Sequence, residues 1–199
     1  MLHCDRLRIQ HEGRMSGGNL DGVFSPYLRE RRLSAARPHI RGRVLDYGCG
    51  TADVCAIAGE ASYVGVDLDE SVLALARRRY PRASFLTPDE FAQWSGPPFD
   101  TVAALAVVEH LPDPARFFAA MKRHLKPSGR IVVTTPNPAL DWAHGLGARF
   151  GLFAKESHDE HQSLVDRAGL ERAGASAGLR IVEYRRFLLG ANQLAILIP

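Results

Sequence analysis

The stretch Val44-Leu45-Asp46-Tyr47-Gly48-Cys49-Gly50-Thr51-Ala52-Asp53 decides the fold. A short apolar run enters two glycines one residue apart and leaves toward a helix-forming segment. Glycines so placed permit a tight turn and let a ligand approach the backbone closely. Gly-x-Gly alone is common to many turns, and the informative residue is Asp46, two positions before the first glycine. Position 53 is Asp, so the third glycine of a Gly-x-Gly-x-x-Gly dinucleotide loop is missing. A carboxylate at Asp46 repels a pyrophosphate lying over a helix N-terminus. It suits a ligand that carries an ammonium and a sulfonium.

The next strand-like run, Val64-Gly65-Val66-Asp67-Leu68-Asp69, ends in acid 19 residues after Gly48. A carboxylate there accepts both ribose hydroxyls of a nucleoside lying across the strand ends. Asp67 therefore indicates a nucleoside cofactor without choosing between NAD and S-adenosylmethionine. Asp69 reads differently, as the N-cap of a helix that begins at Glu70.

Outward from this centre the chain alternates short apolar runs with helical segments. Strands are expected near 43–47, 63–67, 83–86, 100–104, 130–135, 180–186 and 193–198. Helices are expected near 52–60, 70–79, 89–94, 114–125 and 162–177. An earlier helix opens at Ser25-Pro26, with serine as cap and proline in the first turn, and Pro38 ends it. Strands separated by helix-length spacers indicate βαβ units and parallel pairing. The last two strands lie only about six residues apart, too few for a helical crossover, so they pair antiparallel. The expected class is α/β: a Rossmann-like, mainly parallel seven-stranded sheet with helices on both faces and an antiparallel last strand.

These segments together resemble the class I S-adenosylmethionine-dependent methyltransferases. The resemblance is carried by Asp46-x-Gly48-x-Gly50, by the acidic strand end at Asp67, and by Phe99-Asp100-Thr-Val-Ala-Ala-Leu-Ala-Val-Val-Glu109-His110-Leu-Pro-Asp-Pro114. Leu125-Lys-Pro-Ser-Gly129-Arg-Ile-Val-Val-Thr-Thr-Pro-Asn137 continues it. The Glu109-His110-Leu-Pro-Asp-Pro segment is most similar to the ubiquinone-biosynthesis O-methyltransferase branch and its small-molecule relatives. The resemblance implies S-adenosyl-L-methionine as cofactor. Gly48, Cys49 and Gly50 would pack against its methionine part, Asp46 would bind the amino end, Asp67 the ribose, and Leu68 the adenine. Asp89 stands where the family often contacts the adenine amino group, although Leu86-Thr87-Pro88-Asp89 departs from the commoner Gly-Asp form. Leu105 and Ala106 would meet the methyl-bearing end.

Methyl transfer from a sulfonium expels a neutral leaving group, so positioning and exclusion of water are the main tasks. A general base is needed only for a nucleophile that arrives protonated. The candidates are His110, His158 and His161, with Glu109 and Asp159 available to orient an imidazole. Each has a plain structural alternative: His110 as a loop-fixing histidine, and Ser157 to His161 as a solvated helix start. Metal ligation in the manner of small-RNA 2′-O-methyltransferases requires Glu-x-x-Glu-His, but position 106 is Ala, and no metal is assigned. Arg77-Arg78-Arg79 reads as cations complementing a helix C-terminus. Arg29, Arg31 and Arg32 lie in the N-terminal helix, which in this family folds over the cofactor, and spacing alone does not say which meets an anion.

The whole chain is 199 residues, the length of one domain. On this reading 1–42 is an N-terminal cap, 43–135 the cofactor half, 136–161 a substrate lid loop, and 162–199 a closing helix with a strand pair. The lid expectation rests on the 23 residues from Pro136 to His158, which hold no clean period. A net charge of +3 weighs against a nucleic-acid partner. Three cysteines without a Cys-x-x-Cys pair fit free thiols in a reducing, cytoplasmic compartment. No run approaches the ~18 consecutive apolar residues of a membrane span. The expected reaction is methylation, on oxygen, of a small-molecule or lipid-like acceptor. Oligomeric state is left open, and the rival readings are an RNA 2′-O-methyltransferase, an NAD(P)-dependent oxidoreductase and a non-catalytic cofactor-binding module.

Overall fold

A computed structural model describes residues 25–138 and 165–199. Six α-helices and seven strands follow one another there. In chain order they are α1 (Ser25–Ala36), β1 (Val44–Tyr47), α2 (Cys55–Ala58), β2 (Tyr63–Val66), α3 (Glu70–Arg79), β3 (Ser84–Leu86), α4 (Pro88–Phe91), β4 (Phe99–Leu105), α5 (Pro114–Arg123), β5 (Leu125–Pro136), α6 (Arg167–Ser176), β6 (Arg180–Phe187) and β7 (Asn192–Ile198). The strands form one sheet in the order β3-β2-β1-β4-β5-β7-β6. The first five pair parallel, while β7 lies antiparallel to both β5 and β6. The α/β architecture expected from the sequence is therefore present, including the antiparallel last strand.

Both sheet faces are covered, which explains why the inner strands read as continuous apolar runs. Side chains alternate across the pleat. Leu45, Val102, Ile131 and Val133 face Phe118 and Met121 of α5 and Leu170 of α6. Val44, Ala103, Val132 and Ile196 face Ala36 of α1 and Leu73 and Ala76 of α3. Among the described residues no helix is long and apolar enough to cross a membrane.

Helix ends follow local chemistry. Asp69 caps α3, its Oδ1 accepting the Ser71 N–H at 2.8 Å. Thr87 and Glu90 form a reciprocal capping box at α4, so that helix starts at Pro88 and not at 89. Asp166 caps α6, accepting from the Gly169 N–H at 2.7 Å, which sets the start of regular helix at Arg167. The helix expected over 52–60 is cut down to Cys55–Ala58. Ala52 takes a left-handed conformation (φ 61°) that prolongs the preceding turn, and Gly59 (φ 79°) stops the helix. β5 starts earlier than its apolar run, because Leu125 already pairs with Phe99 before a register shift. α1 stops at Ala36, and Pro38 sits in the single 3₁₀ turn Arg37–His39 that follows. Replacing the exposed cap, Asp69→Ala, is expected to cost about 1 kcal/mol in urea unfolding. An unchanged midpoint would remove the cap from the account.

Candidate active site

The strand order reverses direction between β1 and β4: the chain runs outward to β3, then returns beside β1. In open α/β sheets the crevice at such a switch point, outside the carboxyl ends of the strands, receives ligands. Two sharply turned loops meet there. After β1, Gly48 (φ 75°) and Gly50 (φ 49°) adopt left-handed backbone. The N–H groups of Gly48 and Cys49 both donate to the Val66 carbonyl, at 2.8 and 3.0 Å, which fastens the loop to the end of β2. A Cβ on Gly48 would lie 2.5 Å from Val107 Cγ2, whereas one on Gly50 would meet nothing. The first glycine is thus required by packing as well as by conformation, and the second by conformation. After β4, Ala106 is also left-handed (φ 59°), with its N–H bound to the Thr134 carbonyl at 2.8 Å.

Asp67, just past β2, joins the loop to the helix beyond. Its Oδ2 accepts the Gly50 N–H at 2.8 Å and its Oδ1 the Asp69 N–H at 3.0 Å. Each carboxylate oxygen keeps a further lone pair. Two hydroxyls on adjacent carbons can therefore still bond this carboxylate.

A cavity of about 340 Å³ opens beside the glycine loop, under α1. Asp46, Gly48, Cys49 and Gly50 form its floor, while Val54, Val72 and Leu105 supply apolar wall. From the roof come Arg29 and Arg32, three residues apart on one face of α1. The Arg32 Nε donates to the Asn192 Oδ1 on β7 at 2.9 Å, which fixes the guanidinium. Burial lowers the Arg32 pKa and the nearby Glu109 carboxylate opposes that shift, but an arginine stays a cation. Asp46 is its opposite number in charge. It is 3% exposed and accepts the Tyr63 hydroxyl at 2.7 Å. Burial pushes its pKa up to about 7. The Tyr63 hydrogen bond favours the ionised form, while the charges of Asp67 and Asp53 disfavour it. The cavity therefore offers a buried carboxylate and a fixed guanidinium to one end of a ligand.

Of the residues singled out in the sequence, Asp46, Gly48, Cys49, Gly50 and Leu105 line this cavity. Asp67 adjoins it through Gly50, and Ala106 follows Leu105 in the turned loop. Leu68 is 62% exposed, and Asp89 is exposed in the first turn of α4; neither lines the cavity. Glu109 and His110 share the single 3₁₀ turn Val108–His110 yet part company, Glu109 buried and His110 exposed. His158, Asp159 and His161 lie outside the described residues. The three helix-ending arginines work inside the fold. Arg77 bonds Glu70 and the Phe85 carbonyl, Arg78 bonds the Ala74 carbonyl, and Arg79 bonds Asp53 and the Thr51 carbonyl.

Two residues escape a reading by motif: Arg32, which lines the cavity, and Tyr63, which stands behind it and bonds Asp46. Tyr63 opens β2 opposite Val44, so it stands on the same face as Asp46 and one pleat behind it. Strand parity carried that signal, but only once the register was known. Arg32 was one of three arginines in α1, and its selection depends on the turn of the helix and on Asn192, 160 residues away.

Residues 23–184 match a family model described as "Methyltransferase domain". The ubiquinone biosynthesis O-methyltransferase of Thiobacillus denitrificans is 31% identical over 168 residues, 78% of this chain and 72% of that protein. The enzyme of the same name from Brucella anthropi is 29% identical over 209 residues, covering 90% of this chain and 84% of its own length. Among solved structures, the glycopeptide N-methyltransferase MtfA complexed with (S)-adenosyl-L-methionine superposes with a TM-score of 0.64 at 18% identity, covering 92% of this chain and 90% of that one. An S-adenosylmethionine-dependent methyltransferase from Mesorhizobium loti gives 0.61 at 19% identity, over 87% and 96% of the two chains.

Proposed function

This chain belongs to the S-adenosylmethionine-dependent methyltransferases, and from that premise we propose that it methylates an oxygen of a small-molecule or lipid-like acceptor. The observation that carries the site is that Asp46 and Arg32 both line one cavity beside a left-handed glycine loop. The residues fit the cofactor. Asp46 would receive the α-ammonium of its amino-acid end, and Arg32 the carboxylate, with Arg29 as a second cation nearby. Gly48, Cys49 and Gly50 let that end lie close to the backbone. Asp67 would take the ribose hydroxyls, with Leu68 and Asp89 toward the adenine. When bound, S-adenosylmethionine supplies an electrophilic methyl whose transfer leaves a neutral thioether.

The remaining work belongs to the chain. Val54, Val72 and Leu105 exclude water from the cavity wall, which strengthens the charge pairing inside. The loop Leu105–His110 passes from the cavity to the surface, ending at His110, the described candidate for taking the acceptor's proton; His158 and His161 are the others. Residues 136–161 would form the lid over the acceptor and 1–42 the cap over the cofactor, completing one domain. Names of relatives at about 30% identity support oxygen as the atom methylated. Cys49 and Cys55, both buried and free, are compatible with a cytoplasmic protein.

Calorimetric titration with S-adenosylhomocysteine and with NADH tests the cofactor site. The first is expected to bind and the second not to. Folded protein that gives no heat with S-adenosylhomocysteine would sink the assignment. Radiolabelled methyl donor presented with a panel of phenols, amines and prenylated phenols should yield O-methyl products, and exclusive N-methylation would reverse the choice of atom. His110→Ala should lower kcat by roughly 10²-fold or more at unchanged S-adenosylhomocysteine affinity if it is the base. Full activity in that variant would assign the role elsewhere.

A further inference from the structure

We propose that Tyr63 is a positioning residue for the cofactor: its phenol holds the Asp46 carboxylate ready for the α-ammonium, and cofactor binding releases the proton that Asp46 carries in the empty cavity. The proposal rests on the cofactor reading above. It adds a residue outside every motif, and a proton to the binding reaction.

The geometry comes first. Tyr63 is 2% exposed, with its ring tilted against Phe85 at 5.8 Å between centroids, so the phenol has one place to be. Its O–H reaches along the face of the sheet and donates to Asp46 Oδ2 at 2.7 Å. The Tyr63 pKa is raised well above its ordinary value, chiefly by burial, so the phenol remains a donor at every relevant pH.

Every other group around Asp46 is already committed or neutral. Asp53, in the turn after the glycine loop, bonds Arg79 at 2.8 Å, with Arg29 at 3.9 Å. Asp67, at the end of β2, is bound by two backbone N–H groups. The thiols of Cys49 in the loop and Cys55 in α2 are pushed up by burial, Cys55 to about 11, and stay protonated. Arg29 and Arg32 reach the cavity from α1, and Arg32 bonds Asn192. Burial is the main reason that Asp46 holds its proton to about pH 7; the like charges of Asp67 and Asp53 add to it, and the Tyr63 hydrogen bond opposes it. A cationic ammonium arriving at the carboxylate takes over the proton's role. The carboxylic O–H bond breaks, the proton passes to solvent, and the carboxylate is then bonded by the phenol and the ammonium.

The sign follows from linkage: a ligand that binds the deprotonated form binds more tightly as pH rises through the free group's pKa. S-adenosylhomocysteine affinity is expected to rise about tenfold between pH 6 and 8. Methylthioadenosine, which lacks the amino-acid end, should bind with no such rise. Titrations of S-adenosylhomocysteine at pH 6.5 in two buffers of different ionisation enthalpy should show release of most of one proton, a readout that needs no variant. Tyr63→Phe removes a hydrogen bond that favours the carboxylate. It should move the affinity rise upward by about one pH unit while its thermal melt confirms folding. Asp46→Asn should flatten the profile. PH-independent affinity without buffer-dependent heat in the unmodified protein overturns the proposal, as does a folded Tyr63→Phe protein whose profile matches the parent. Failure of both nucleosides to bind at any pH overturns the cofactor reading instead.

Discussion

Asp46→Asn should make the empty protein more stable at pH 8 by roughly 4 kcal/mol while weakening S-adenosylhomocysteine binding roughly 10- to 100-fold. The stability half is a statement about ionisation. An unfolded chain gives Asp46 its ordinary carboxylate pKa of 3.8, but the fold raises it to about 7. The native state therefore holds a proton that the unfolded state has lost. Stability falls as pH climbs from about 4 to 7, at about 1.4 kcal/mol per unit, and is then level. Asparagine keeps the shape and can still accept the Tyr63 O–H, yet never ionises. The variant's advantage should vanish near pH 3, grow between 4 and 7, and then hold constant. Urea titrations at five pH values would show it, and a variant less stable than its parent at pH 8 would contradict the burial argument. The affinity half follows because a buried carboxylate facing an ammonium is a charge-assisted contact that an amide replaces poorly. Activity and stability are in opposition at this one position.

Gly48→Ala is the second large effect, with an expected loss of about 3 kcal/mol and of detectable cofactor binding. Two physical costs combine. A Cβ at φ 75° is strained by about 1–2 kcal/mol. It would also stand 2.5 Å from Val107 Cγ2, which overpacks the contact between the loops after β1 and β4 at a further ~1–3 kcal/mol. The two parts separate experimentally. Val107→Ala clears the contact without touching the backbone, so the double variant should regain the packing share and keep the conformational one. Thermal melts of the four proteins in the cycle give the coupling. Zero coupling would mean that the two loops do not lean on each other.

The legible and illegible parts of this protein divide along physical lines. Strand, turn and helix around Gly48 could be read because a sheet covered on both faces writes itself as unbroken apolar runs, and because a left-handed turn selects glycine. Asp69 was legible as a cap since that interaction spans only two residues. The α2 segment misled, because Ala52 takes a left-handed conformation usually left to glycine and nothing in an alanine announces it. Tyr63 and Arg32 are matters of register and helix phase: one meets Asp46 across two strands, the other meets Asn192 across the sheet. Glu109 and His110 read as a pair, yet a single tight turn sends one inward and the other out. Oxygen and a small acceptor came from resemblance alone, since the segments expected to grip the acceptor hold no periodic pattern.

The placement of β7 bears on how the protein is made. This strand emerges last of the seven, yet it ends up inside the sheet, with β5 on one side and β6 on the other. While a ribosome is still adding residues 192–198, the five parallel strands can already assemble, but β5 has a bare margin and β6 has nothing to pair with. That margin carries Ile131, Val132 and Val133, an adhesive stretch for any neighbouring nascent chain. The interval before β7 arrives is therefore the moment when chaperones have most to do, and when crowded expression is most prone to clumping.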